Sequence, residues 1–269
     1  MSKKRLDVYL VEQGLFTSRE KAQGEIMAGN ILVNGQKCTK SGTSVLESAS
    51  IELLGKKQKY VSRGGLKLEK ALELYEISLQ NKIMLDVGAS TGGFTHCALL
   101  NGASKVFAVD VGYGQLAWQL RNDERVVVKE RTNARYLTEK DLGEQVDFVC
   151  MDVSFISITK ILPALKALCK ENSEIVALIK PQFEAGKENI GKKGVVKDKK
   201  VHEQVITKIL DFVRTEGWSI LGLTFSPITG PEGNKEFLFY AKNLAYFEID
   251  KIDVKVIEQV VADAWLELI

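Results

Sequence analysis

The chain has 269 residues, enough for one large domain or two unequal ones, and its 45% apolar and 27% charged content excludes extended disorder. Thirty-seven Lys and Arg against 35 Asp and Glu leave a net charge of +2, so any affinity for nucleic acid has to come from uneven placement. The placement is uneven: residues 1–70 carry 13 basic and 7 acidic side chains, whereas residues 243–269 carry 2 basic and 6 acidic. Cys38, Cys97, Cys150 and Cys169 show no Cys-x-x-Cys spacing and are joined only by His96 and His202, a pattern of reduced cytoplasmic thiols rather than a metal cluster. The opening Met-Ser-Lys-Lys-Arg-Leu-Asp lacks the apolar run of a signal peptide, and the charge-free window Val87–Ser104 is too rich in Gly, Ser and Thr for a bilayer. A cytoplasmic protein without membrane or metal partners is expected.

In chain order, Arg5–Leu10 predicts a short amphipathic helix closed by Gly14. Thr17-Ser-Arg-Glu20 then offers a capping box for a second helix, which runs to about Ala28 and stops at Gly29. Ile31–Val33 reads as a strand entering an Asn34-Gly35 type I′ hairpin, Ser50–Leu54 as another strand, and Gly55–Lys59 as a polar linker. A small α+β domain over 1–60 and a larger domain over 61–269 follow. In the larger one, helical segments at Leu66–Tyr75, Phe94–Leu100, Leu116–Leu120 and Ile158–Cys169 are interleaved with five strands. These lie at Ile83–Val87, Lys105–Asp110, Arg125–Val128, Asp147–Asp152 and Glu174–Ile179, the pattern of βαβ units on a parallel sheet. A helix at Lys199–Glu216 precedes strands at Ser219–Phe225 and Glu236–Ala241, whose short Pro/Gly connection demands an antiparallel pair. Ile257, Val260, Val261, Ala264, Trp265 and Leu268 form one apolar stripe of a closing helix that packs back on the sheet.

Asp86-Val-Gly88-Ala89-Ser90-Thr91-Gly92-Gly93-Phe94 joins the first of these strands to a helix, where open α/β sheets bind ligands. It is neither Gly-x-Gly-x-x-Gly nor a P-loop, because no Lys follows the glycines. Asp86 before the loop and Asp110 at the tip of the second strand would repel a diphosphate. They suit ribose hydroxyls and a cationic centre, and S-adenosylmethionine has both; Asp110 is the expected ribose binder. Three further polar residues interrupt apolar strands at their ends: Asp152, Lys180 before Pro181, and Glu236. An ammonium buried there is costly unless paired or neutral, which suits Lys180 to act as a base.

Longer motifs then carry a resemblance. Arg5-Leu-Asp7, Ser18-Arg19, Val33-Asn-Gly35, Ser62-Arg63-Gly-Gly-Leu-Lys67, the Asp86–Phe94 loop, Asp110-Val111-Gly-Tyr-Gly-Gln115, Glu130-Arg-Thr-Asn133-Ala134-Arg135, Asp152-Val-Ser-Phe, Lys180-Pro-Gln-Phe-Glu184 and Gly230–Glu236 together resemble one family. It is the haemolysin-A-type family, in which an alpha-L RNA-binding motif is fused to an FtsJ-like ribose 2′-O-methyltransferase acting on ribosomal RNA. The resemblance implies a Rossmann-like class I methyltransferase sheet, mostly parallel with an antiparallel late strand, preceded by the RNA-binding module. It also implies a Lys67, Asp152, Lys180, Glu236 catalytic tetrad, with Lys67 and Glu236 positioning the ribose and the base lysine. The cofactor contacts it implies include Val111, Asn133, Ala134 and Asp152 beside the glycine loop. The expected substrate is ribosomal RNA within ribosomal subunits, met by Arg5, Arg19, Lys21, Lys37 and Arg63. The loop Gly186–Lys200 holds six Lys against one Glu and one Asp, a candidate mobile flap over the substrate. Rival readings fare worse: base methylation lacks an Asn/Asp-Pro-Pro-aromatic segment, and a lytic protein lacks a spanning or basic amphipathic helix. A non-catalytic assembly factor does not need the complete polar set.

Overall fold

A computed structural model describes residues 3–16, 18–54, 59–244 and 252–268. The chain divides into two compact units, Met1–Gln58 and Lys59–Ile269. In the smaller, β1 (Lys3–Arg5) leads into α1 (Leu6–Glu12) and α2 (Arg19–Met27). Ser18 caps α2 by accepting from the Lys21 amide; the Thr17 end of the expected capping box lies outside the described residues, as does most of the expected linker, residues 55–58. Next, β2 (Ile31–Val33) and β3 (Gln36–Cys38) are joined through Asn34 at φ 50° and Gly35 at φ 77°, the positive pair that a type I′ turn requires. A further strand, β4 (Ser44–Leu46), pairs with β1, while β5 (Ile51–Leu53) pairs with the free side of β2. The β1–β4 ladder has no counterpart in the sequence reading, because three-residue strands carry too few alternations to register. Leu6, Leu10, Ala22, Ile26 and Ile31 fill the small core.

In the larger unit, α3 (Gly65–Leu74) precedes β6 (Ile83–Val87), α4 (Gly93–Leu100), β7 (Lys105–Val109), α5 (Trp118–Arg121) and β8 (Val126–Lys129). There follow α6 (Glu139–Leu142), β9 (Val146–Met151), α7 (Leu162–Lys166), β10 (Cys169–Ile179), α8 (Pro181–Glu184), α9 (Lys199–Thr215), β11 (Ser219–Phe225), β12 (Phe237–Lys242) and α10 (Val254–Glu267). The sheet order is β11-β12-β10-β9-β6-β7-β8, with β12 antiparallel to both neighbours and β6 to β10 mutually parallel. This is the expected architecture. The helix expected over Ile158–Cys169 is shorter: a 3-10 turn at Ile158–Lys160 precedes α7, and Cys169 already pairs with Val146 in the sheet. One apolar layer, with α9 and α10, covers one face of the sheet; a second, with α3 and α4, covers the other. Ile257, Val261 and Ala264 of the predicted stripe are buried, and α10 packs on α9 and β11.

Candidate active site

Leaving β6, the chain turns to β7 and β8 on one side and returns to β9 on the other, so a crevice opens at the carboxyl ends of β6, β7 and β9. Gly88 sits there at φ 85°, and a Cβ on it would lie 2.5 Å from the Asp152 carbonyl oxygen, so only glycine lets the loop pass this close to β9. A cavity of about 480 Å³ fills the crevice. Of the predicted cofactor residues, Gly88, Ser90, Asp110, Val111, Asn133, Ala134 and Asp152 line it, together with Gln115, Thr132, Ser154 and Phe155, which the sequence reading did not select. Asp110 accepts the Ser90 amide at 2.8 Å on one oxygen and the Gly112 amide at 2.7 Å on the other, which fixes its carboxylate at the β7 tip. Phe155 is 91% exposed with φ 63°, a strained conformation for a bulky residue, and leans on Phe183 with 5.0 Å between rings. The lining holds two carboxylates and no basic side chain.

Asp86 is placed otherwise than expected. It is fully buried and lines no cavity described here; its Oδ2 accepts from the Thr95 amide at 3.0 Å and the Thr95 hydroxyl at 2.6 Å. It thereby caps α4, whose own N-cap is Gly92, at φ 95° and without a capping side chain. Strand alternation is the reason: Asp86 shares with Met84 the face that packs on α3 and α4. Burial pushes the Asp86 carboxyl up to about 6, against the Thr95 and Cys150 hydrogen bonds that lower it. The folded state therefore holds a proton that the unfolded chain has lost, and the Asp86 contribution to stability declines as pH rises from about 4 to 6. Asp86→Asn is expected to gain on wild type over this interval, by on the order of 3 kcal/mol, in paired thermal melts. A difference between the two proteins that stays constant with pH means that Asp86 ionises folded as it does unfolded, and overturns the raised value.

A second cavity, of about 400 Å³, shares Gly88, Ser90, Asp152 and Ser154 with the first and adds Arg63, Lys67, Ala89, Thr91, Gly93, Phe94, Lys180 and Glu236. Gly92 lies in neither lining. Four side chains from distant parts of the sequence form one zigzag here. Lys180 Nζ is 2.5 Å from Asp152 Oδ1, Asp152 Oδ2 is 3.2 Å from Lys67 Nζ, and Lys67 Nζ is 2.7 Å from Glu236 Oε2. Lys180 is therefore paired in its largely buried position. Burial pushes the Asp152 carboxyl up, but Lys67 and Lys180 outweigh it and hold it below the usual range. Burial likewise pulls Lys67 down, and Asp152 and Glu236 reverse this and raise it. Beyond the zigzag, Gln182 donates to Glu236 Oε1 at 3.1 Å, and Ser154 accepts from Lys180 at 3.0 Å.

A family description for FtsJ-like methyltransferases matches residues 60–243, and one for the S4 domain matches residues 4–51. The chain belongs to the FtsJ-like methyltransferase family. Its smaller unit carries the S4 domain. Among relatives, YqxC of Bacillus subtilis, provisionally named an rRNA methyltransferase, is 54% identical over 239 residues, 88% of this chain and 85% of that one. The 16S/23S rRNA (cytidine-2′-O)-methyltransferase TlyA of Mycobacterium tuberculosis is 44% identical over 239 residues, 88% of this chain and 89% of its own. A solved Streptococcus thermophilus structure, provisionally described as a hemolysin, is 45% identical with a TM-score of 0.78, covering 99% of this chain and 97% of that one. The family and the enzyme class expected from the motifs are thus borne out.

In the S4 unit of this FtsJ-like enzyme, Arg5 and Arg19 converge on buried Asp7. Arg5 binds it through two nitrogens at 3.1 and 3.0 Å, and Arg19 reaches the same carboxylate at 3.1 Å. Both guanidinium side chains stay about half exposed, at 53% and 54%, and hold the Asp7 carboxyl well below the usual range. Lys21 and Lys37 are exposed, Lys37 lying along Gly29, but neither joins this cluster. In the methyltransferase unit Arg63 is exposed at the rim of the smaller cavity. The lysines of the Gly186–Lys200 loop are all exposed, yet the loop is anchored: Val196 is buried, and Asn234 donates to the Gly194 carbonyl at 3.0 Å while accepting from the Val196 amide. Lys235 donates to the Leu268 carbonyl at the end of α10 and lies over the Trp265 ring. Among the described residues no helix is long and apolar enough to cross a membrane, and no His, Cys, Asp and Glu group is arranged to hold a metal.

Proposed function

We propose that this enzyme methylates the ribose 2′-oxygen of a ribosomal RNA nucleotide, a cytidine as in the name of the Mycobacterium tuberculosis relative, with S-adenosylmethionine as donor, and that it acts in the cytoplasm. The observation that carries the reading is the zigzag of Lys180, Asp152, Lys67 and Glu236 on the wall common to two cavities. The larger cavity suits the donor: two carboxylates and no basic side chain favour a cationic ligand and disfavour a diphosphate. Asp110, Val111, Asn133 and Ala134 would hold its nucleoside part, and Gly88, Ala89, Ser90, Thr91 and Gly93 its amino-acid part. When bound, that donor supplies an electrophilic methyl group on a sulfonium.

The protein's own groups then divide the work. Lys180, in its neutral form, takes the proton of the 2′-hydroxyl as the oxygen becomes a nucleophile. Asp152 holds Lys180 on one oxygen and Lys67 on the other, which aligns the base with the cavity junction. Lys67 and Glu236 position the ribose from the smaller cavity. Arg5, Arg19, Lys21 and Lys37 of the smaller unit supply phosphate contacts, and in the larger unit Arg63 and the exposed lysines after Gly186 offer others. The test is direct: ribosomal subunits from cells lacking the gene are incubated with labelled S-adenosylmethionine and the RNA is hydrolysed in alkali. Label retained at one alkali-resistant linkage is the expected result. Label on a linkage that still cleaves identifies a base as the acceptor and overturns the proposal.

A further inference from the structure

We infer that Ser154 is a positioning residue that fixes the direction in which Lys180 takes up a proton. This rests on the reading of Lys180 as the base and deepens it. Ser154 stands two residues beyond Asp152 on the exposed loop leaving β9, and it lines both cavities. Its Oγ accepts from Lys180 Nζ at 3.0 Å, while Asp152 Oδ1 lies 2.5 Å from the same nitrogen. A neutral amine nitrogen, once bonded to its carbon, has two N–H groups and one lone pair. With Asp152 and Ser154 engaging the two N–H groups, a single direction is left for the lone pair.

Removing the Ser154 oxygen frees the amine to rotate about its last carbon–nitrogen bond, and the lone pair then points away from the hydroxyl for part of the time. No neighbour replaces it. The charged groups around Lys180 are Asp152, already engaged, Lys67 and Glu236 beyond it, and Arg63 on the cavity wall. Lys67 and Arg63 only donate, Glu236 is occupied by Lys67 and Gln182, and the Phe183 ring, 5.9 Å from Nζ, offers no oxygen. The same hydroxyl stabilises the ammonium form, so its loss makes the neutral base easier to reach and the rate slower at once.

The experiment is a single-turnover pH–rate profile of the full-length protein on unmodified ribosomal subunits, for wild type, Ser154→Ala, Ser154→Thr and Lys180→Ala. Ser154→Ala is expected to lower the plateau about tenfold to a hundredfold. Its acid limb is expected to move down by about half a unit to one unit. Ser154→Thr restores both, and thermal melts stay unchanged because the residue is exposed. A Ser154→Ala plateau equal to wild type, or a loss with the limb unmoved, overturns the role of Ser154. A Lys180→Ala protein as fast as wild type overturns instead the reading of Lys180, so the two failures are told apart.

Discussion

Lys180→Ala is expected to lose about a thousandfold or more of its single-turnover rate at neutral pH while binding S-adenosylmethionine as wild type does. The lysine lines only the smaller of the two cavities, so the donor keeps its contacts when the side chain is removed. Lys180→Arg is the sharper variant. It preserves the positive charge facing Asp152 but cannot give up its proton near neutral pH, so a base is lost while an ion pair is kept. Rates for Lys180→Arg within tenfold of wild type would show that the charge matters rather than the proton transfer. Calorimetry with S-adenosylmethionine separates either result from a binding defect.

Glu236→Ala is expected to be the most destabilising single change in the site, by about 3–5 kcal/mol, because a buried pair is broken from one side. Glu236 is fully buried and Lys67 nearly so, with side-chain exposures of 0% and 9%, so the lost carboxylate is poorly replaced by solvent. For a unit of this size the melting temperature should fall by roughly 6–20 °C. The double variant Lys67→Met, Glu236→Leu removes both charges together and should recover most of that loss, since a buried ion pair adds little over well-packed apolar groups. It should remain inactive. A double variant that melts as low as Glu236→Ala would indicate that packing, not charge, sets the cost; one that regains activity would remove the pair from the chemistry.

The strands and long helices of the larger unit could be read because each repeats one period over several residues, as with the apolar stripe of α10. Asp152, Lys180 and Glu236 were legible singly, as polar interruptions at the ends of apolar strands. Lys67 needed the family resemblance, since a lysine in a helix is ordinarily solvated. Yet it lies four residues before Ala71 and next to Leu68, in phase with the buried face of α3, and that phase was a signal available in the sequence. The buried side of Asp86 is hidden from the motif, because the glycine loop fixes where the strand ends, not which face its last residues present; the alternation shared with Met84 decides that. Ser154 and Gln182 stand inside two of the family motifs, but nothing in the sequence marks either as functional: each matters through one hydrogen bond to a residue far off in the chain.

Asn234, Lys235 and Glu236 each fasten to a different place: the lysine-bearing loop, the end of α10, and Lys67. Consecutive Cα atoms are held about 3.8 Å apart by rigid peptide planes, so a pull on one of the three is felt by the next. Damage remote from the crevice can therefore silence the enzyme. A collection of inactivating substitutions should include hits along α10 and in residues 191–196, and a residue inserted between 233 and 237 should unhitch all three attachments in one stroke.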